Sequence, residues 1–416
     1  MPLDATHAPD ARSWVESANA PGTDFPLQNL PLGIFKRRGK AEPPRGGVAI
    51  GDQILDLAAL DVRTGPTLNG LAAMGRGAQR KLRGELWRAL GVKSRSQKRL
   101  QKYLVPQKQA ELFLPLAIGD YSDFFTGIHH ATNMGKMLRP DNPLLPNYKW
   151  VPIGYHGRGS SIVVSGTAIR RPRGQLKPAD AAAPAYGPSK RLDYEAELAF
   201  VVGKGTRLGE PIAIARAHEH LFGALLLNDW SARDVQAWEY QPLGPFLAKS
   251  FATTISPWIV TMDALEPYRC AAFARAEEDP KPLAYLHDDA DQREGGYAIE
   301  LEMQLRTPKM KEPVRVSRAS FRESYWTVAQ LLAHQSSNGC NVQSGDLLGT
   351  GTISGTAPDS YGSLMELTQA GKQPLELPGG ETRAFLEDGD EVIELARCAR
   401  DGHATIGFGE ARGTIR

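Results

Sequence analysis

Five acidic positions and a histidine pair set the chemistry this chain can carry. The stretch RLDYEAELAFVVG, residues 191–203, reads as a strand, yet Asp193, Glu195 and Glu197 alternate along it. Strand side chains point to opposite faces with period two, so these carboxylates share one face while Leu192, Tyr194, Ala196, Leu198 and Phe200 share the other. Carboxylates about 7 Å apart along a strand repel one another, so the acidic face either meets water or holds something positive. Asp123 lies in GDYSDFF, and Asp229 follows the apolar run of LLLNDWSARD. At the rim of a core a carboxylate costs free energy unless it is paired or coordinates a metal. Asp123, Glu195, Glu197 and Asp229 form an all-oxygen set that suits Mg²⁺ or Ca²⁺ better than zinc. Acids on strands and before turns are more often simply solvated, and spacing alone does not choose between the two readings.

A donor set follows Asp229. SARD matches a capping box, with Ser231 as N-cap and Asp234 three residues on, which predicts a helix over ARDVQAWEY. Arg233, Gln236 and Tyr240 then fall at i, i+3 and i+7 on one face. Arginine, amide and phenol together make a surface suited to a developing oxyanion. Lys249, in the apolar, Pro/Gly-rich GPFLAKSF, is predicted near the core, where lysines are rare. His129 and His130 lie shortly after Asp123, and a histidine oriented by a carboxylate is the usual general base at neutral pH. A satisfied core histidine is the commoner case, and the spacing favours neither ring.

Other motif matches fail. GPFLAKS lacks the second glycine of a phosphate-binding loop, and GTGTISG has its third glycine one place too late for a dinucleotide fingerprint. His218 and His220 flank Glu219 in a predicted helix, where i and i+2 diverge. With 416 residues, 41% hydrophobic, and a net charge of +2, the composition is that of a globular protein of two or three domains. It gives no global field for nucleic acid or anionic membrane. No apolar run is long enough to cross a bilayer, and no basic-then-apolar leader opens the chain. Cys270, Cys340 and Cys398 lie far apart and form no CxxC pair, which fits a reducing, cytoplasmic setting.

The elements that must position these residues are mostly strands. NLPLGIFKRR and GGVAIGDQILDLAAL read as short strands, with Gly51-Asp52 as a hairpin turn. Leu82, Leu86 and Leu90 predict an amphipathic helix in a basic segment, residues 76–102, that has no series of interleaved aromatics as stacking platforms and reads as a solvated face. A boundary near residue 115 is marked by Pro106 and Pro115. Beyond it, SSIVVSGTAI, AELAFVVG, YAIELEMQLRT and DEVIELARCA read as strands, QLKPADAAAPAYGPSK as a long loop and residues 275–295 as loop-like. The expectation is a mainly β protein with some α, a small module over 1–115 and a large domain over 116–416.

GDYSDFFTGIHHATNMGKMLR, VPIGYHGRGSSIVVSG, LDYEAELAFVVG, NDWSARDVQAWEYQPLGPFLAKSFATTISPW and NGCNVQSGDLLGTGTISG, in this order, closely resemble the fumarylacetoacetate hydrolase family. The resemblance implies an SH3-like N-terminal β-barrel followed by a mixed β-sandwich or β-roll domain, assembled as a homodimer. It implies metal-dependent hydrolysis of a β-diketone, 4-fumarylacetoacetate, to fumarate and acetoacetate, the last step of tyrosine and phenylalanine catabolism. Asp123, Glu195, Glu197 and Asp229 align with the family's cation ligands, and Asp229, Lys249 and Thr253 with a second cation site. His130 aligns with the catalytic base and Glu366 with the carboxylate that orients it. Arg233, Gln236 and Lys249 align with the oxyanion-stabilising group, and Arg139, Tyr155, Tyr240 and Thr352 with substrate contacts. Phe125 stands where the family has a substrate-contacting tyrosine; one lost neutral hydrogen bond costs about 0.5–1.5 kcal/mol. An acylpyruvate hydrolase or an oxaloacetate decarboxylase of the same superfamily is the alternative, and a decarboxylase needs no water-activating base. A silent metal-binding protein or an RNA-binding protein using residues 76–102 is the alternative of another class.

Overall fold

The computed structural model describes residues 3–416, apart from the side chain of Leu138. Near the N-terminus β1 (Leu32–Arg37), β2 (Arg45–Ile50), β3 (Gln53–Asp56), β4 (Leu104–Pro106) and β5 (Ala110–Phe113) form one antiparallel sheet in the order β4-β3-β2-β1-β5. Ile50 faces Gln53 across the predicted hairpin, and Gly51 takes the left-handed φ of 57° that such a turn needs. Only residues 107–109 separate the two edge strands in sequence. A flat five-stranded sheet would set its edges about 19 Å apart at about 4.8 Å per strand. Four residue steps span at most about 14 Å, so the sheet must curl until its edges approach. The expected barrel thus takes the form of a half-barrel whose edge strands β4 and β5 do not pair.

Helix α1 (Arg76–Leu90) buries Leu82, Leu86 and Leu90, as their spacing predicts. Its arginines are tied into the fold. Arg76 pairs with Asp263 at 2.8 Å, Arg80 with Asp4 at 2.8 Å, and Arg83 donates to Thr6 Oγ1 at 3.0 Å and the Asn29 carbonyl at 2.8 Å. These three arginines therefore fasten the helix to the N-terminal segment and to Asp263.

The larger part contains β6 (Tyr121–Phe124), β7 (Gly154–His156), β8 (Ile162–Val164), β9 (Ala196–Val202), β10 (Leu221–Asp229), β11 (Thr253–Ile255), β12 (Glu300–Arg306), β13 (Val314–Ser320), β14 (Leu347–Gly349), β15 (Glu391–Cys398) and β16 (Ile406–Thr414). A central sheet runs β7-β6-β14-β9-β10-β11-β8, with Val260–Thr261 added on β10, and a second sheet runs β13-β12-β15-β16. Leu198 and Phe200 of β9, Ala224 and Leu226 of β10, and Leu301 and Met303 of the second sheet share one core. Ala199, Val201, Phe222, Leu225 and Leu227 pack instead with Leu32, Ile34, Leu82 and Leu86. The central sheet is thus buried on both faces, which is why LFGALLLN reads as a continuous apolar run.

Three sequence expectations need correction. Ser231 lies in a two-residue strand, and the helix after it, α2 (Arg233–Glu239), has Ala232 at its cap and no side-chain capping bond. Asp234 turns back to accept from Ser189 Oγ at 2.6 Å and Lys190 N at 2.7 Å, so it pins the preceding loop. The supposed long loop carries a hairpin, Arg173–Leu176 paired with Ala185–Pro188, and a short helix, Asp289–Glu294, lies within residues 275–295. Because Leu86 is 2% exposed between the helix and the central sheet, Leu86→Ala is expected to lower stability by about 2–5 kcal/mol, measured by urea unfolding.

Candidate metal centre and active site

Asp123 on β6, Glu197 on β9 and Asp229 at the end of β10 bring carboxylate oxygens within 4.8 Å of one another. Register explains the meeting. Gly349 of β14 lies opposite Asp123 on one side and Ala199 on the other. By the strand alternation Glu197 shares the face of Ala199 and Val201, Asp229 that of Leu225 and Leu227, and Asp123 that of Tyr121. The intervening strand must be bare at this point, since a Cβ on Gly349 would stand 2.8 Å from Asp123 Oδ1. All three carboxylates are buried, with 3%, 0% and 1% exposure.

Oδ1 of Asp123 and both carboxylate oxygens of Glu197 have no hydrogen-bond partner. Burial, then the Asp229 charge, pushes Asp123 up to about 8. Burial, then Asp123 and Asp229, pushes Glu197 well above the usual carboxylate range. Burial also raises Asp229, against the pull of Lys249. Buried oxygens without donors, in an all-carboxylate set, fit a hard divalent cation, which removes the repulsion that otherwise retains protons.

Glu195, the fourth expected ligand, faces two cations. Its Oε1 lies 2.8 Å from Arg233 Nη1, and its Oε2 accepts from Lys249 Nζ. Burial alone would raise Glu195, but Lys249 and Arg233 bring it down to about 2. Lys249 Nζ also lies 2.6 Å from Asp229 Oδ2. Although burial opposes its charge, Asp229 and Glu195 push its pKa up, so the side chain enters the centre as a cation, without a lone pair to offer a metal. Thr253 Oγ1 donates to Asp229 Oδ1 at 3.0 Å, and Tyr155 Oη to Asp229 Oδ2 at 3.0 Å. Asp229, Lys249 and Thr253 therefore do meet.

The two adjacent histidines meet different carboxylates. His129 Nε2 pairs with Glu323 at 2.9 Å, on the half-buried side. His130, 3% exposed, meets Glu366 through Nδ1 at 2.7 Å. Glu366 also accepts from Asn133 Nδ2, Ser354 Oγ and Ser363 Oγ, each at 2.9 Å. A carboxylate on Nδ1 keeps the proton there in the neutral ring and leaves Nε2 as the acceptor. Burial would raise Glu366, but His130 and these donors lower it. The helix carrying His130, Ile128–Leu138, starts against the Thr352 carbonyl, which a Cβ on Gly127 would approach to 2.4 Å. Phe125 sets its ring edge-on to His130, 5.6 Å between centroids.

On helix α2 (Arg233–Glu239), Arg233 is held on two sides. Its Nε donates to Asp193 Oδ2 at 2.8 Å and its Nη1 to Gln236 Oε1 at 3.2 Å, while Nη2 is buried without a partner. Gln236 thereby keeps its amide N–H groups for another acceptor. Arg139 follows the His130 helix, with a buried Nε lacking a partner, and Tyr240 caps α2. Among the described residues no side-chain hydrogen bond ties Arg139, Tyr240 or Thr352 to the centre. Sequence reasoning missed Asn133, Ser354, Ser363 and the use of Asp193. Two signals were there: Asn133 lies three residues after His130 on its helix, and SLME is a capping box. Ser363 Oγ does accept from Glu366 N, at 3.3 Å.

Fold and site together define a β-rich protein with a buried acidic cluster, able to hold a divalent cation, beside a buried histidine–carboxylate pair. Residues 28–115 match the family model Fumarylacetoacetase N-terminal, and residues 122–416 match Fumarylacetoacetate (FAA) hydrolase C-terminal. The chain belongs to the fumarylacetoacetate hydrolase family. It is 49% identical over 417 residues to the fumarylacetoacetase of Bos taurus, covering 95% of this chain and 97% of that one. It is 50% identical over 410 residues to that of Arabidopsis thaliana, covering 94% and 95%. The solved fumarylacetoacetate hydrolase of Exiguobacterium antarcticum shares the fold at a TM-score of 0.52 and 18% identity, over 93% of this chain and 99% of that one. No helix among the described residues is long and apolar enough to cross a membrane.

Because burial and the neighbouring charges raise Asp123 to about 8 and Glu197 in the same direction, a bound cation competes with protons at this cluster. Uptake of Mg²⁺ or Ca²⁺ by metal-free protein is expected to release protons at pH 7 and to tighten from about pH 6 to 8. Calorimetric titration in buffers of different ionisation enthalpy measures this; heats independent of buffer would mean the carboxylates are already ionised.

Proposed function

We propose that this chain hydrolyses the carbon–carbon bond of 4-fumarylacetoacetate to fumarate and acetoacetate, as the last step of tyrosine and phenylalanine catabolism. The observation that carries the reading is the buried His130–Glu366 pair, 2.7 Å apart, in a chain whose second feature is the acidic cluster of Asp123, Glu197 and Asp229. Identity of 48–50% to fumarylacetoacetases over nearly the whole length supports the substrate.

A carbanion is a poor leaving group, so its charge must be spread. Asp123, Glu197 and Asp229, with Glu195 alongside, would hold Mg²⁺ or Ca²⁺, and the ion would supply Lewis acidity to the 1,3-dicarbonyl. His130 Nε2 takes a proton from water, and Glu366 stabilises the imidazolium formed. The water oxygen adds to the carbonyl carbon beside the fumaryl unit. Arg233 through its free Nη2, Gln236 through its amide and Lys249 stabilise the resulting oxyanion. Collapse re-forms the carbonyl and breaks the carbon–carbon bond, leaving the electron pair on acetoacetate as an enolate. The proton carried by His130 then completes acetoacetate. Arg139 clamps a substrate carboxylate by its bidentate geometry, and Tyr155, Tyr240 and Thr352 line the substrate with Phe125. The water-activating pair favours this reading over an oxaloacetate decarboxylase.

We also propose a cytoplasmic homodimer. Three free cysteines suit a reducing compartment, and exposed Leu243, Phe246, Leu247 and Trp238 supply an apolar surface for a second copy.

Loss of the diketone's ultraviolet absorbance is expected with purified protein, to be abolished by removing the divalent ion and restored by Mg²⁺ or Ca²⁺. Metal-bound protein that leaves fumarylacetoacetate intact but cleaves an acylpyruvate would move the substrate. His130→Ala is expected to keep the bound ion and the fold while turnover falls about 10²–10⁴-fold; an active variant would remove His130 from the role of base.

A further inference from the structure

We propose that Asp193 is a positioning residue that locks the oxyanion-stabilising arginine and the base-orienting carboxylate into one unit. The proposal rests on the hydrolytic reading above for the roles of those two groups. Asp193 lies on the acidic strand but outside the acidic cluster, and is 0% exposed. Its two oxygens accept four hydrogen bonds. Oδ1 takes Tyr194 N at 2.9 Å and Leu364 N at 2.8 Å. Oδ2 takes Met365 N at 3.1 Å and Arg233 Nε at 2.8 Å.

Those donors belong to the two halves of the reacting apparatus. Leu364 and Met365 open the one-turn helix Leu364–Leu367 that carries Glu366. Their amide N–H groups have no partner within so short a helix, and Asp193 satisfies both. Arg233, held at Nε by Asp193 and at Nη1 by Glu195, keeps only Nη2 without a partner. One carboxylate therefore fixes which edge of the guanidinium is free and where the Glu366 carboxylate stands under His130.

Only a four-acceptor group satisfies this arrangement. All four partners are donors, so an Asn side chain must oppose its NH₂ either to the helix and Tyr194 or to Arg233 and Met365. Asp193→Asn keeps the volume and loses one side of the link in either orientation.

The test measures steady-state kinetics, bound divalent ion and the folded fraction for wild type, D193N, R233K and the double variant. The expectation for D193N is a fall in kcat of at least tenfold per folded molecule, with KM changed less than threefold and the ion content unchanged. In the R233K background D193N should cost less than in wild type, the remainder being the loss at the Glu366 helix. A kcat within threefold of wild type, or losses that multiply fully in the double variant, would overturn the proposal. Should D193N not fold, hydrogen exchange at the Leu364 and Met365 amides of R233K against wild type decides it without substrate. Protection falling at least threefold supports the link, and unchanged protection sinks it. An inactive wild type with intact exchange coupling would instead overturn the hydrolytic reading alone.

Discussion

Burying negative charge is the constraint around which this structure is organised. Asp123, Glu197 and Asp229 are placed on the face of a sheet that is covered on both sides, where an uncompensated carboxylate is costly. Each nearby feature answers that cost. Lys249 stands against Asp229 and Glu195, Arg233 against Glu195 and Asp193, and Thr253 and Tyr155 donate to Asp229. Oxygens of Asp123 and Glu197 remain without donors, and these are the ones a divalent ion would occupy. Charge compensation and the geometry of the cluster are therefore the same set of contacts.

The rest of the site is built by short segments at the ends of strands. β10 ends at Asp229 and the chain turns within three residues into the helix of Arg233. β6 ends at Phe124, and Gly127 lets the chain enter the His130 helix beside Thr352. Sheet register sets the carboxylates, while helix starts set His130 and Arg233. Such placement on rigid elements holds reacting groups without long, mobile loops.

Much of this was legible in the sequence where a period carried it. The alternation of residues 191–203 put Glu197 on one face and Leu198 and Phe200 on the other, and the structure keeps that division. The Leu82, Leu86 and Leu90 spacing gave helix α1, and Gly51-Asp52 gave a hairpin. The pattern could not say that the acidic face is buried, because burial there depends on β14 and the N-terminal sheet, distant in sequence. SARD misled because Asp234 found better partners in Ser189 and Lys190 than its own helix end could offer. His130 and His129 are adjacent in the chain, and only the long-range partners Glu366 and Glu323 separate their roles.

The N-terminal half-barrel and α1 bury one face of the central sheet. A cover of this size between separate chains would be a subunit interface, formed only above some concentration; within one chain its effective concentration is fixed by the tether. It also precedes the sheet it covers. Phe222, Leu225 and Leu227 of the most apolar strand therefore find their cover upstream in the same chain, whatever the protein concentration.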